Sequence, residues 1–349
     1  MSILVLPPSL VYDQGTSSNE PRRRRSMYNL AQHYHPITAN PSQTNEVAPS
    51  ALLQPYIRCF WGTGDVLRNA SASEPSRPNP TVGPLERELI IPDTCMDIIW
   101  QLDEHTGNTT SMFSGVNDAP FEVPKEREPS GKTVFAIRFY FWAVHLFADD
   151  HLREVLNAHV DVRQYFSSFH RELGEQLARA RSTAERIAAA ETYLLRRMQP
   201  SRRTQDSLLN AVQLILSRKG LVMGEELRQG TGLGSRQLER LFREYTGLTP
   251  KKAADLVRFQ HVWQELYYGS PTGGGLQDLV HAYGYSDQSH FNHNFRKYAG
   301  TSPLQALRDA GRGMSLFYNT AGSRSSYNEL VAGCDRPNNT GNSREGNNT

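Results

Sequence analysis

Two short stretches of this 349-residue chain carry side chains able to read the edges of nucleic-acid bases. The first sets Arg236, Gln237, Glu239, Arg240 and Arg243 outward from a helical period whose inward positions are Leu238, Leu241 and Phe242. The second sets Gln288, Ser289, Asn292, His293 and Arg296 outward from Phe291 and Phe295. Arginine can give two parallel hydrogen bonds to guanine, Asn and Gln can match adenine, and Ser or His can donate or accept. Glu239 can accept from cytosine, or pair instead with Arg243 four residues on. Taken singly, each is what a solvated helix face would show. Two such faces in a repeated frame point to DNA.

The frame is an internal repeat. Phe242-Arg243-Glu244-Tyr245-Thr246-Gly247-Leu248-Thr249-Pro250 recurs as Phe295-Arg296-Lys297-Tyr298-Ala299-Gly300-Thr301-Ser302-Pro303, with Phe, Arg, Tyr, Gly and Pro each 53 residues apart. In each copy an amphipathic helix should stop at Gly247 or Gly300, where a left-handed residue costs least. Thr249 or Ser302 can then cap a new helix that opens on proline. Upstream, Glu226-Leu227 before Gly232 matches Asp278-Leu279 before Gly284 at an offset of 52, so the second turn is one residue longer. Short helix, glycine turn and amphipathic helix make a helix-turn-helix. Between the copies, Leu256, Phe259, Trp263 and Leu266 form one stripe on a helix expected from Pro250 to about Tyr267. About 18 residues span roughly 27 Å, against about 34 Å between successive major grooves on one face of the duplex.

Charge agrees with this placement. The chain carries 38 basic and 36 acidic side chains, but residues 201–313 hold 15 against 10, and 201–260 alone hold 11 against 6. Basic excess gathered on one region suits a polyanion. The second unit, at 4 against 4 over 261–313, should read mainly through polar contacts, and the first should dominate phosphate attraction.

The rest of the chain reads as the support for these units. Residues 1–50, rich in Pro, Ser, Asn and Gln and including Arg22-Arg23-Arg24-Arg25, read as a disordered tail, and 314–349 as a second one. The Arg run can touch phosphates, although such runs are more often merely solvated. Between them, 51–200 is expected to be a β-rich domain with C-terminal helices, and 201–313 the all-α domain. Strands are expected at Ile57–Trp61, Glu88–Ile91, Met96–Trp100, Thr110–Phe113 and Thr133–Tyr140, broken by a Pro/Ser-rich loop from Asn69 to Pro84. After about Val144 the spacing becomes helical, through Leu152, Val155 and Leu156 and then Val162, Tyr165, Phe166 and Phe169. Ser182-Thr183-Ala184-Glu185 has the form of a capping box. It introduces a helix with Ile187, Ala190, Tyr193, Leu194 and Met198 on one face, a surface for a dimer or for packing on its own domain. Trp61, Trp100, Phe113, Tyr140 and Trp142 can line a pocket or simply form core.

Several classes are excluded or disfavoured. No apolar run approaches 18 residues, so no membrane-spanning helix is expected. Ile3–Leu6 before Pro7-Pro8 is too short for a secretory signal, and the expected location is cytoplasmic, on the bacterial nucleoid. Cys59, Cys95 and Cys334, odd in number and far apart, suit neither a disulfide framework nor a zinc site.

The second unit, Tyr283-Gly284-Tyr285-Ser286-Asp287-Gln288-Ser289-His290-Phe291 with Phe295-Arg296-Lys297 and Gly300-Thr301-Ser302-Pro303, resembles the G-F-x-D-x-S-H-F…F-K…G-x-S-P signature of the AraC/XylS family of bacterial transcription regulators. The first unit is similar through Ser235–Phe242 and Gly247–Pro250, with Arg258 where the family's connecting helix has Arg. The resemblance covers roughly 205–310 and implies a seven-helix domain with two helix-turn-helix units, each placing its second helix in a major groove. It implies base reading by Arg236, Gln237, Glu239 and Arg240, then by Gln288, Ser289, Asn292 and His293. Phosphate falls to Arg243, Arg296 and Lys297, and His290 is expected to be structural. Gly234 stands where the family has a Ser cap, which would pass the cap to Ser235 and move the register by one. Arg228 and Val280 stand where a small Ala is usual, and Gly230 lies near the first short helix's end. Ile91–Trp100 and Phe135–Phe147 resemble, more weakly, the sensor domains of such regulators, implying an α+β protein with a jelly-roll or cupin-like sensor followed by helices that dimerise.

The function expected is a sequence-specific transcription regulator, effector-responsive and not an enzyme. Its partners would be double-stranded DNA, a small-molecule effector that no residue pattern identifies, a second copy of itself and RNA polymerase, with no membrane and no cofactor. The effector would have to favour one domain arrangement over another. Against this stand a DNA-associated enzyme or metal-dependent cupin, and an accessory protein binding partners through 182–198. For a metal site, His33 and His35 lie in the tail, His105 stands alone, and His290 and His293 sit on the recognition helix.

Overall fold

A period of two builds the first half of the protein and a period near 3.6 the second. The computed structural model describes residues 30–36, 46–63, 87–103, 105–124, 132–198, 206–268 and 275–311. The Arg22–Arg25 run, the loop from Asn69 to Pro84 and the tail from 314 lie outside the described residues.

Among the described residues a short helix α1 (Leu30–His33) precedes seven strands: β1 (Ile57–Gly62), β2 (Arg87–Ile90), β3 (Cys95–Asp103), β4 (Thr109–Ser114), β5 (Phe121–Pro124), β6 (Lys132–Tyr140) and β7 (His159–Asp161). Five form an antiparallel sheet in the order β1-β6-β3-β4-β7, and β2 pairs with β5. The centre is the β3–β6 ladder, running from Cys95↔Tyr140 to Asp103↔Lys132. Side chains alternate across it. One face gives Ile98, Trp100, Phe135, Ile137 and Phe139, all buried, to the core. Helices α2 (Arg163–Glu172), α3 (Gly174–Arg179) and α4 (Thr183–Arg197) belong to that core: Phe113 meets Phe166 at 4.8 Å, Phe139 meets Phe169 at 6.4 Å, and Phe169 meets Tyr193 at 4.7 Å. Ser182 Oγ accepts the Glu185 N–H at the start of α4, and the Glu185 carboxylate reaches Arg181 N–H in return. The face of α4 that offers Ala190, Tyr193 and Leu194 is buried within this chain.

The second half is helical: α5 (Asp206–Ser217), α6 (Gly224–Thr231), α7 (Ser235–Thr246), α8 (Pro250–Tyr268), α9 (Leu276–Ala282), α10 (Gln288–Ala299) and α11 (Pro303–Gly311). The expected stripe Leu256, Phe259, Trp263 and Leu266 is buried, and so are Ala253, Ala254, Val257, Gln260 and Val262. Helix α8 is covered on almost every side, because both helical units and the β-rich half pack on it.

Three expectations need correction. Leu152, Val155 and Leu156 are not helical; they lie in turns before β7. Their spacing reflects burial of Leu152 and Val155 at the end of α7, where Leu152 N–H donates to Glu244 O at 2.9 Å. Strands β5 and β7, at four and three residues, escaped detection. The disorder expected over 1–50 does not hold for residues 30–36 and 46–50. Leu30 and Tyr34 are buried, Val47 bridges Phe60, and the Tyr34 ring meets Trp142 at 6.2 Å and His261 at 5.6 Å.

Candidate nucleic-acid interface

Helix α6 ends at Gly232 (φ 68°), whose N–H reaches Arg228 O at 2.8 Å. Helix α7 starts with Gly234 itself as the N-cap, in an extended conformation, so the register does not move to Ser235. The missing serine hydroxyl is partly offset from the other direction, since Gly234 N–H donates to Gln237 Oε1 at 3.0 Å. That bond occupies the acceptor end of Gln237 and leaves its amide N–H2 group as the free donor.

Arg236, Gln237, Glu239, Arg240 and Arg243 are exposed, and Leu238 and Phe242 are buried beneath them. Among the described residues Glu239 and Arg243 form no ion pair. Arg228 points outward and pairs with Glu225, so it does not obstruct the helix contact. The close approach is instead at Gly230, where a Cβ would lie 2.3 Å from Leu214 Cδ1 on α5.

The second pair repeats this with different caps. Gly284 (φ 64°) closes the turn after α9, and Asp287 Oδ1 accepts the His290 N–H at 2.8 Å to start α10. His290 Nδ1 lies 3.2 Å from Ser286 Oγ and its ring packs edge-on to Tyr285, a structural role. Gln288, Ser289, His293, Arg296 and Lys297 are exposed, Asn292 is half-buried, and Phe291 and Phe295 are buried. Gly247 (φ 69°) and Gly300 (φ 74°) end the two long helices. Thr249 Oγ1 and Ser302 Oγ then accept Lys252 N–H and Gln305 N–H to start α8 and α11.

Sequence reasoning missed how α8 is held. The Arg258 guanidinium lies 3.8 Å from the Tyr285 ring centre, a cation–π contact joining α8 to the second turn. The Gln260 amide donates to Pro92 O of the β-rich half at 2.9 Å, and Lys252 pairs with Asp118. No sequence period marks these residues, and the partners of Lys252 and Gln260 lie in the other half of the chain.

The β-rich half concentrates charge on the sheet face away from its aromatic core. Arg138 makes a two-pronged pair with Asp97 at 2.9 and 3.1 Å, and Trp61 Nε1 donates to the same carboxylate at 2.8 Å. Burial first, and the neighbouring Asp97 and Glu46 carboxylates after it, raise the Asp93 carboxyl to about 6 against the pull of Arg138. Trp100, Phe113, Tyr140 and Trp142 are buried as core, and Tyr140 stacks on Trp142 at 4.5 Å. Among the described residues no group of three or more His, Cys, Asp or Glu is placed to hold a metal ion, and no helix is long and apolar enough to cross a membrane.

Paired helices closed by left-handed glycines, with exposed Arg, Gln, Asn and His above a buried aromatic base, define a helix-turn-helix DNA-binding protein. Residues 227–309 match the family described as a helix-turn-helix domain, and residues 45–161 match a domain of unknown function (DUF6597). That match makes residues 227–309 a helix-turn-helix domain, as expected of a DNA-binding transcription regulator. No curated protein matches the chain. Solved structures similar to it include ToxT from Vibrio cholerae O395, at 8% identity, covering 63% of this chain and 91% of that one with a TM-score of 0.32. An apo lysine-to-alanine variant of ToxT from Vibrio cholerae strain SCE256 is similar at 8% identity, 63% and 92% coverage and a TM-score of 0.32. Wild-type ToxT of that strain, bound to an unsaturated fatty acid, is similar at 8% identity, 63% and 90% coverage and the same TM-score.

Proposed function

We propose that the protein is a sequence-specific regulator that lays α7 and α10 into successive major grooves on one face of the duplex. The carrying observation is that both helices expose polar side chains at equivalent places in the repeat, while their apolar faces close on a common helix, α8. At 19 residues α8 is about 28 Å long, commensurate with the groove repeat of about 34 Å. Arg236, Glu239 and Arg240 read bases in one half-site, with Gln237 contributing its amide donor. Gln288, Ser289, Asn292 and His293 read the other, and Arg243, Arg296 and Lys297 hold phosphates.

Residues 201–313 act as the DNA-binding domain, and 51–200 as an effector-responsive sensor whose antiparallel sheets support a small β-rich binding module. A homodimer would need a surface other than the apolar face of α4, which is buried in this chain.

Selection of preferred duplexes from a random pool, followed by footprinting and titration against salt, tests the reading. A specific complex protecting two sites about one helical turn apart is expected. Binding without sequence preference, or protection of one groove only, overturns it.

A further inference from the structure

Lys252 sits in the first turn of α8, immediately after the turn that ends α7. Its ammonium is ion-paired with Asp118, in the segment between β4 and β5, and the two side chains are 23% and 18% exposed. In that state Lys252 is turned from solvent onto a carboxylate of the β-rich half.

Asp118 is held in place. Its N–H donates to Asn157 Oδ1 at 2.8 Å, and Asn157 Nδ2 donates back to Asp118 Oδ1 at 2.7 Å. Asn157 N–H also donates to Val116 O at 2.8 Å, from a left-handed backbone (φ 57°). The segments around 115–120 and 151–158 are thereby tied into one plate. The plate seats on the end of the first reading helix: Leu152 N–H and the His151 ring both reach Glu244, and Val155 presses on Gly247. It also meets the second unit, where Pro120 lies beside Gly300.

The electrostatics place Asp118 between the units. Burial alone would raise its carboxyl; hydrogen bonds from Lys252 and Asn157, with the charges of Lys252 and Lys297, outweigh this and hold it below the usual carboxylate range. Lys252 belongs to the helix leaving the first unit and Lys297 to the reading helix of the second. One carboxylate, ion-paired with the first unit's Lys252, therefore also lies within electrostatic reach of the second unit's Lys297.

We propose that Lys252 is a further DNA-phosphate contact, and that Asp118 withholds it while the β-rich half is docked. The docked protein would then bind DNA with one phosphate contact fewer than its helical half can make. Any signal that lifts the plate, including an effector in the β-rich half, would release that contact. This rests on the DNA-reading role argued above.

The test measures affinity of the full chain for one selected duplex across a range of salt concentrations, for the parent, Asp118→Asn and Asp118→Asn/Lys252→Met. Thermal unfolding is followed on the same samples, and Asp118→Ser provides a second removal of the carboxylate should the Asn variant misfold. Removing Asp118 should steepen the slope of log K against log salt by about 0.9 and tighten binding on the order of five- to tenfold near 0.1 M salt. Adding Lys252→Met should cancel both gains. An unchanged slope without Asp118, or a gain that survives loss of Lys252, overturns the inference while leaving the reading of α7 and α10 intact. Failure of the parent and every variant to select any duplex overturns both.

Discussion

Arg240 and Asn292 stand on different footings although both face outward. Arg240 is exposed, with no ion pair among the described residues, so its guanidinium is free to take a two-pronged position on guanine. Arg240→Ala should cost about 1–3 kcal/mol at one base pair of the first half-site and relax preference there, as competition binding with single-base variants would show. Equal losses on all sequences would assign Arg240 to phosphate instead. Asn292 is half-buried, so its rotamers are restricted and its substitution by Ala should change preference in the second half-site. Lys297→Ala should weaken all duplexes alike and flatten the salt slope by about 0.9. The outward positions were legible because an aromatic base at three- and four-residue spacing fixes which side faces solvent. The bond from Gly234 to Gln237 was not, because a residue without a side chain gives no sign of where its backbone N–H will find an acceptor.

The glycines that end helices carry different loads. A Cβ on Gly232 would meet nothing within 4 Å, whereas one on Gly247 would lie 2.5 Å from Val155 Cγ2 and 2.7 Å from Leu152 O. Both residues are left-handed, at φ 68° and 69°. Gly232→Ala should therefore cost only the backbone term, about 1 kcal/mol. Gly247→Ala should cost more, roughly 2–4 kcal/mol, because a backbone oxygen cannot step aside as a side-chain tip can. Chemical denaturation of the two variants side by side checks the order, and equal losses would mean that the two halves separate readily at this contact. The same contact explains what periodicity could and could not deliver. The long strands β3 and β6 and helices α7, α8 and α10 follow their residue patterns because each buries a full face. Leu152, Val155 and Leu156 imitate helical spacing, but Leu152 and Val155 are anchors of a turn pressed on α7. Short β5 and β7 contain too few alternations to be distinguished from loop, and Tyr34 becomes core only through partners far along the sequence, Thr94, Trp142 and His261.

Burial that joins the two halves also makes the whole molecule sensitive to acid. His261 of α8 lies under Tyr34, and its Nε2 has no hydrogen-bond partner among the described residues. Burial first, and then the charge of Lys219, lower its pKa to about 4, against the opposing pull of Glu265. The unfolded imidazole titrates near 6.5. As pH falls below that value the unfolded chain gains a proton that the folded chain refuses, so stability declines until the folded state is protonated near pH 4. A displacement of this size sets a ceiling of about 3 kcal/mol, and residual solvent contact brings the expectation to about 1–2 kcal/mol. Asp93 works in the opposite sense: its folded carboxyl, raised to about 6, takes up a proton before the unfolded one does, so it adds stability as pH falls from 6 toward 3.8. Asp118 and Asp149, both held low, lose their contribution only below the unfolded value of 3.8. His35 and His159, also lowered by burial, act in the same sense as His261 and against Asp93, so only the change on substitution isolates the His261 contribution between pH 6.5 and 4. His261→Gln, compared with the parent by denaturant unfolding at steps across that interval, should remove the largest histidine contribution and make the fall in stability toward pH 4 shallower. Parallel profiles for the two proteins would mean that the imidazole is hydrated and that the packing of Tyr34 across the halves opens in solution.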